Sequence, residues 1–388
     1  MTTQRHQVPV AAQPGRSAAS RRPRILHTVV DGPWGATRLA ETLALEQARR
    51  GQFEVAMAYR ALRPPPPQRA AEFARHGCAE FFVPGNPKPW LVLRLARLLR
   101  QWQPDILFAH GYTLHLWARY AALMAGTRNV VQVEHNCEHY AWRRRWQVRL
   151  LNRRTARIVC VSPSVRDHLA ALATPPALLE VIPNGIPLER YPAPDFAWER
   201  RDLPLAMVAR FSAQKDHATA IQAVGLLRRR GIAAQLHLAG ADDDGDRGAH
   251  CRALTRQLGL EDHVRFLGDV SAVPALLQRT RILVHSTHYE GLPLAVLEGM
   301  AAGCAVVASA VPGVVDFVRD GENGLLVPEA DAAGLADRLA TLLGSPALAL
   351  RLARQGRADV ERDHSVGRMT DRYDALARTL LAAAPSRR

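Results

Sequence analysis

The chain has 388 residues, 48% of them hydrophobic and 22% charged, with a formal net charge of +15. That length suits two domains of ordinary size, each able to bury its own core, and no apolar run is long and clean enough to span a bilayer. Five scattered cysteines without C-x-x-C spacing fit a reduced cytoplasmic protein and argue against a zinc site.

Residues 1–22 contain arginines but no apolar core, so they read as a disordered basic tail and not as a secretory signal. Short β-branched apolar runs then alternate with longer helical patterns. "RILHTVV" (24–30), "FEVAMAY" (53–59), "DILFAH" (105–110), "NVVQVEH" (129–135) and "ARIVCVS" (156–162) predict buried parallel strands. Helical stretches such as 37–50, 90–102 and 113–125 sit between them. Five prolines within 183–204 mark a linker, and the pattern then restarts. "PLAMVAR" (204–210), "AQLHLAG" (234–240), "HVRFLG" (263–268), "RILVHS" (281–286) and "CAVVAS" (304–309) form the second set. The expected fold is α/β, with two Rossmann-like doubly wound domains facing across a cleft. The expected divisions are 23–182, a linker over 183–203, 204–362, and a C-terminal helix in 363–388 that could pack back on the first domain.

Ligands of such sheets bind beyond the carboxyl ends of the strands. After the first strand, Gly32 and Gly35 make a tight loop at a helix start, where backbone N–H groups can approach an anion. After 204–210 come Arg210 and Lys215. The chain has 49 arginines and only two lysines, Lys88 and Lys215, so Lys215 reads as a compact point charge for a phosphate. After 281–286 comes "THYEGLPLAVLEGM", with Glu290 in a loop and Glu298 eight positions on, in a helix. Pro293 suits the first turn of that helix. The helix start would point partial positive charge at a leaving phosphate. Carboxylates at two depths suit two hooks on one extended ligand better than an acid/base pair straddling one bond.

The charge is uneven. Residues 1–202 hold 29 Lys+Arg against 15 Asp+Glu, and residues 203–388 hold 22 against 21. The excess is densest in "AWRRRWQVRLLNRRTAR" (141–157). Either this is a solvated helix face, or Trp142, Arg143, Arg144, Arg145, Trp146 and Arg149 dock on an anionic membrane or an anionic acceptor. No nucleic-acid-binding motif accompanies the charge.

"HSTHYEGLPLAVLEGMAAGCAVVASAVPGVVDFVRDGENGLLV", "IPNGIPLERY", "VARFSAQKDHATAIQAV" and "VCVSPSVRDHL" together resemble the retaining, nucleotide-sugar-dependent glycosyltransferases of family 4 (group 1), which have the GT-B fold. The resemblance implies that Arg210 and Lys215 hold a donor diphosphate beside Gly35, and that Glu298 holds the ribose. Glu290, with Gly291, Leu292, Pro293 and Leu294, would grip the donor sugar. His110 would face the reaction centre, and His135 would either line the acceptor side or be a satisfied structural histidine. The implied partners are a nucleoside-diphosphate sugar and a saccharide or lipid-linked acceptor, with no metal or other cofactor. The implied place is the cytoplasm, peripheral to the inner face of the membrane. "WGATR" departs from the family's G-G-A-E-R loop, which suggests a different acceptor. "GADDDGDRGAH" (240–250) resembles a metal-binding D-x-D but reads better as a solvated acidic loop. A same-fold epimerase or phosphorylase is the alternative enzyme; a non-enzymatic basic protein leaves the C-terminal motifs unexplained.

Overall fold

Aliphatic and β-branched runs build two sheets, both parallel throughout. The computed structural model describes residues 21–383, apart from 33–34, 62–66, 112, 139 and 243–244. The first sheet contains β1 (Arg24–Val30), β2 (Glu54–Ala61), β3 (Ala79–Pro84), β4 (Ile106–His110), β5 (Asn129–Glu134), β6 (Arg157–Cys160) and β7 (Leu179–Val181). Their order is β3-β2-β1-β4-β5-β6-β7. The helices between them are α1 (Gly35–Arg50), α2 (Pro67–Arg75), α3 (Lys88–Trp102), α4 (Leu114–Ala125), α5 (Trp142–Asn152) and α6 (Pro163–Ala171).

The second sheet contains β8 (Leu203–Val208), β9 (Leu236–Ala239), β10 (Val264–Gly268), β11 (Thr280–His285), β12 (Ala305–Ser309) and β13 (Leu325–Val327), in the order β10-β9-β8-β11-β12-β13. Its helices are α7 (His217–Arg229), α8 (Asp246–Gln257), α9 (Val273–Arg279), α10 (Leu294–Ala301), α11 (Ala332–Gly344) and α12 (Pro346–Asp363). Each sheet reverses its strand order once, between β1 and β4 and between β8 and β11. Such reversals open a crevice at the strand ends, where ligands bind.

The ten expected strands are all present. Three more, β3, β7 and β13, accompany them. β3 is half-exposed along most of its length, so it lacks the continuous apolar run of a central strand. β7 and β13 are three residues each.

The proline-rich crossing is packed and not loose. Ile186 pairs with Ser365 in a parallel bridge, so the chain crosses between the sheets twice, side by side. Asn184, Ile186 and Tyr191 are buried there. The last helix, α13 (Val366–Ala383), then lies on the first domain. Its Met369, Tyr373, Leu376 and Leu380 join the core made by β1, β2, β4 and α1. The domains also share an apolar cluster in which Val161, Val165 and Leu169 meet Leu292, Val296, Val314 and Val318. Ser164 donates from its backbone and hydroxyl to Asp316 at 3.0 and 2.9 Å across that junction.

Most of the expected basic tail lies outside the described residues. Arg21 and Arg22, at its end, hydrogen-bond to the Asp105 carboxylate and the Gly51 carbonyl. The five cysteines are free thiols.

Candidate active site

The carboxyl ends of β1, β4 and β5 face those of β8 and β11 across a cleft of about 350 Å³. Local sequence explains how each side chain arrives there. After β8, Asp216 caps α7 by accepting from the Thr219 N–H at 3.1 Å. Lys215, one residue earlier, forms an antiparallel bridge with Thr287. The backbone bonds Asp216 N–H to Ser286 and His288 N–H to Gln214 lace the same two loops together. Lys215 is thereby held against Glu290.

The Glu290 carboxylate is buried and fully engaged. Its Oε1 meets Lys215 Nζ in an ion pair, lies 2.9 Å from His285 Nε2, and accepts from Thr287 Oγ1 at 3.0 Å. Its Oε2 accepts from Gln214 Nε2 at 3.2 Å. Burial alone would raise its pKa. The Lys215 charge and the His285 contact outweigh burial and lower it to about 2. Glu290 is therefore a fixed anion at neutral pH. Arg210 and Lys215 line the same cleft, as do the loop from Gly291 to Pro293 and the first residues of α10, Leu294 and Ala295. Pro293 is the residue that precedes this helix and not part of its first turn.

Two glycines allow the loops to meet. A Cβ on Gly291 would lie 1.9 Å from the His135 carbonyl oxygen, across the domain junction. Gly313 has φ +81°, and a Cβ there would lie 2.5 Å from the carbonyl oxygens of both Glu290 and Gly291. Gly35 opens α1 and lines the cleft. Leu292 is fixed by Asn184, whose Nδ2 donates to the Leu292 carbonyl at 3.1 Å.

Glu298 looks onto a separate, smaller hollow of about 40 Å³, and Leu294 lines both spaces. Arg38 from α1 reaches across to Glu298 with 3.2 Å between Nη2 and Oε1, and Tyr191 also hydrogen-bonds to it. Burial raises the Glu298 pKa, and Arg38 and Tyr191 oppose that. The two glutamates thus sit at separate stations along one interdomain crevice.

The histidines need one correction. His110, expected to face the reaction centre, is fully buried behind His135. Its Nδ1 lies 3.2 Å from His135 Nε2, and His135 is the residue of the pair that lines the cleft. On the other side, His110 Nε2 lies 3.0 Å from His27 Nδ1. Burial lowers His27 and His135 to about 4 and His110 well below its usual value. Beside His135, Glu134 accepts from Tyr140 Oη at 2.6 Å and from Gln132 Nε2 at 2.9 Å. Burial raises its pKa to about 7 despite those bonds.

His285, Gln214, Thr287, Asn184, Arg38 and His27 were not singled out from sequence. His285 ends β11, so the strand-end rule could have found it. Arg38 gave no signal among 49 arginines. Asp243 and Asp244 of the acidic loop lie outside the described residues. Among the described residues, no group of three or more His, Cys, Asp or Glu is placed to hold a metal ion. No described helix is long and apolar enough to cross a membrane.

Of the arginine-rich helix, Trp142 and Trp146 are 74% and 65% exposed, and Leu150 continues their stripe one turn on. Arg143, Arg145 and Arg149 are exposed with them. Arg144 is not part of this surface. It is half-buried, with its guanidinium 5.6 Å from the Tyr140 ring centre.

Residues 195–359 match the family described as glycosyl transferases group 1, and residues 33–190 match glycosyltransferase family 4. The chain is 31% identical over 292 residues to a glycogen synthase of Mycobacterium tuberculosis, covering 70% of this chain and 68% of that one. It is 30% identical over 287 residues to the lipopolysaccharide core biosynthesis glycosyltransferase LpsE of Rhizobium meliloti, covering 73% and 78%. Among solved structures, Anabaena HepE in complex with UDP and glucose superposes with a TM-score of 0.78 at 19% identity, over 92% of this chain and 100% of that one. Sucrose-phosphate synthase of Thermosynechococcus elongatus gives 0.79 at 21%, over 94% and 100%.

Proposed function

The chain belongs to the group 1 glycosyltransferases, with the two-domain GT-B fold. From that premise we propose that it moves a sugar from a nucleoside-diphosphate donor to a hydroxyl of a saccharide or lipid-linked acceptor, with retention at the anomeric carbon. The observation that carries this reading is the buried Glu290 anion, clamped beside Arg210, Lys215 and the start of α10 in one cleft. Glu290 and the backbone from Gly291 to Leu294 would take the sugar hydroxyls. Glu298, in its own hollow, would take the ribose once Arg38 moves aside or shares it. Two relatives point to polysaccharide or envelope products by their names, glycogen synthase and a lipopolysaccharide core enzyme. HepE, of the same fold, holds UDP and glucose.

In this reading the acceptor hydroxyl attacks on the face from which the nucleoside diphosphate departs. The bond from the anomeric carbon to the phosphate oxygen breaks as the new glycosidic bond forms, and the hydroxyl proton passes to the leaving phosphate. No protein nucleophile takes part. Charge growing on the leaving oxygens meets Arg210, Lys215 and the helix start, already fixed in place. These cations would let transfer proceed without a metal.

The test is product analysis with and without acceptor, in buffer containing a chelator. A glycosidic product that requires the acceptor and survives chelation is expected. An isomerised nucleotide sugar or a sugar phosphate instead would favour the epimerase or phosphorylase reading. Activity abolished by chelator would end the metal-free proposal.

The acceptor reading extends to the membrane. The stripe of Trp142, Trp146 and Leu150, flanked by Arg143, Arg145 and Arg149, suits peripheral docking of a cytoplasmic protein on an anionic leaflet. Each basic residue near such a surface contributes on the order of 1 kcal/mol. Co-sedimentation with anionic vesicles is expected at low salt and should fade as salt shortens the screening length. Changing the three arginines to Gln should remove most of it. Equal partitioning of wild type and variant would rule docking out.

A further inference from the structure

The histidine ladder that ends at the cleft has a direction, and a carboxylate on the last helix sets it. Asp374 lies on α13 and is buried. Its Oδ2 is 3.2 Å from Arg50 Nη1, and its Oδ1 accepts from Gln47 Nε2 at 2.8 Å. An ion-paired carboxylate can only accept, so Gln47 must turn its nitrogen to Asp374 and its oxygen to His27. That oxygen lies 2.9 Å from His27 Nε2. An amide oxygen also only accepts, so the His27 proton sits on Nε2 and Nδ1 keeps a lone pair.

The same step repeats down the ladder. His27 Nδ1 is 3.0 Å from His110 Nε2, which must then donate. His110 Nδ1 is left to accept, 3.2 Å from His135 Nε2, which must donate in turn. A neutral imidazole has one N–H, and the hydrogen bond at one nitrogen dictates the state of the other. All three rings are held neutral by burial, as their lowered pKa values indicate. His135 lines the cleft, and its remaining nitrogen, Nδ1, keeps a lone pair.

We propose that Asp374, acting through Gln47, His27 and His110, fixes His135 as the Nε2–H tautomer, so that the nitrogen left for the cleft accepts a substrate hydroxyl and rejects an anionic oxygen. Asp374, Gln47 and His27 are positioning residues in this scheme. Only the identity of the hydroxyl, on donor sugar or acceptor, rests on the transferase reading; the tautomer does not. The other ionisable groups around His135 are Glu134 and Glu138 beside it and Arg210, Lys215, His285 and Glu290 along the cleft. None of these belongs to the ladder, so its direction is set from the α13 end.

The ladder also explains why the second crossing of the chain matters. α13 follows the second domain in sequence yet brings its carboxylate to Gln47, which links it to the first domain's buried histidines. Asp374→Asn keeps the shape but lets residue 374 donate. Gln47 can then flip and the whole ladder can reverse, which puts a proton on His135 Nδ1. The Gln47→Glu/Asp374→Asn double variant exchanges amide and carboxylate and restores the original direction.

The experiment is long-range proton–nitrogen correlation NMR on the full chain labelled with 15N-histidine, with rings assigned by single substitutions. The wild type should show His27, His110 and His135 as Nε2–H tautomers. Asp374→Asn should show an Nδ1–H population at His135, with kcat reduced at least about tenfold. The double variant should recover both. A wild-type His135 protonated on Nδ1 overturns the proposal, whether or not any variant folds. So does a folded double variant that stays as impaired as the single one. If the wild-type spectrum is as expected but no nucleotide sugar is turned over, the ladder stands and the transferase reading falls.

Discussion

Lys215→Ala should lower kcat/KM by roughly 10²- to 10³-fold, about 3–4 kcal/mol of transition-state stabilisation. Two losses coincide in this variant. The leaving phosphate loses a fixed cation, and Glu290 loses its ion-pair partner. The second loss has its own signature. In the wild type, burial would raise the Glu290 pKa, and Lys215 and His285 bring it down to about 2. A carboxylate whose folded pKa lies below its unfolded value contributes stability that is present above the unfolded pKa, near 4.5. That stability is lost as pH falls through about 2. Without Lys215, burial acts with less opposition and the Glu290 pKa rises. The acid limb of both the activity and the stability profile should therefore move toward neutral pH in the variant. Lys88, the only other lysine, is exposed on α3, and Lys88→Ala should change nothing. Steady-state kinetics and thermal denaturation across pH check all three statements. Near wild-type turnover in Lys215→Ala would remove this residue from the donor site.

The two glutamates should fail in different ways. Glu298→Ala should weaken binding of the free nucleoside diphosphate by about 1.5–3 kcal/mol, the range for a hydrogen bond to a charged group. That is a loss of tenfold or more in affinity. Glu290→Ala should leave the same affinity nearly unchanged and abolish most sugar transfer. The reason is their separation, since each glutamate lines its own hollow and Leu294 lines both. Arg38 already pairs with Glu298, so a ribose must displace or share it. Calorimetry with the nucleoside diphosphate and with its sugar separates the two effects. Equal loss of nucleoside-diphosphate binding in both variants would refute separate stations.

The sequence made the strand-end residues legible for a physical reason. Parallel strands are buried on both faces, so "RILHTVV" or "RILVHS" stands out as a continuous apolar run, and the loop after it is where the cleft must be. Lys215, Glu290 and Glu298 were found that way. β7 and β13 were not, because three-residue strands carry too little pattern. The partners of Glu290 were only half legible. Gln214 and Thr287 sit beside the marked residues, but their hydrogen bonds depend on the bridge between Lys215 and Thr287. His110 shows the limit most clearly. The family resemblance implied that it faces the reaction centre, yet it ends β4 buried behind His135. Asp374 and Gln47 are 327 positions apart, and only the return of α13 joins them.

We propose that this cleft binds a nucleoside-diphosphate sugar through Lys215 and Glu290. Thermal denaturation of the wild type and of Lys215→Ala against a panel of nucleotide sugars would show it. At saturating ligand the expected stabilisation is about 2.7 kcal/mol at a hundred times Kd. At least one nucleotide sugar should raise the wild-type midpoint and have far less effect on the variant. A panel that stabilises neither protein, or one that stabilises both equally, would exclude nucleotide-sugar binding through Lys215.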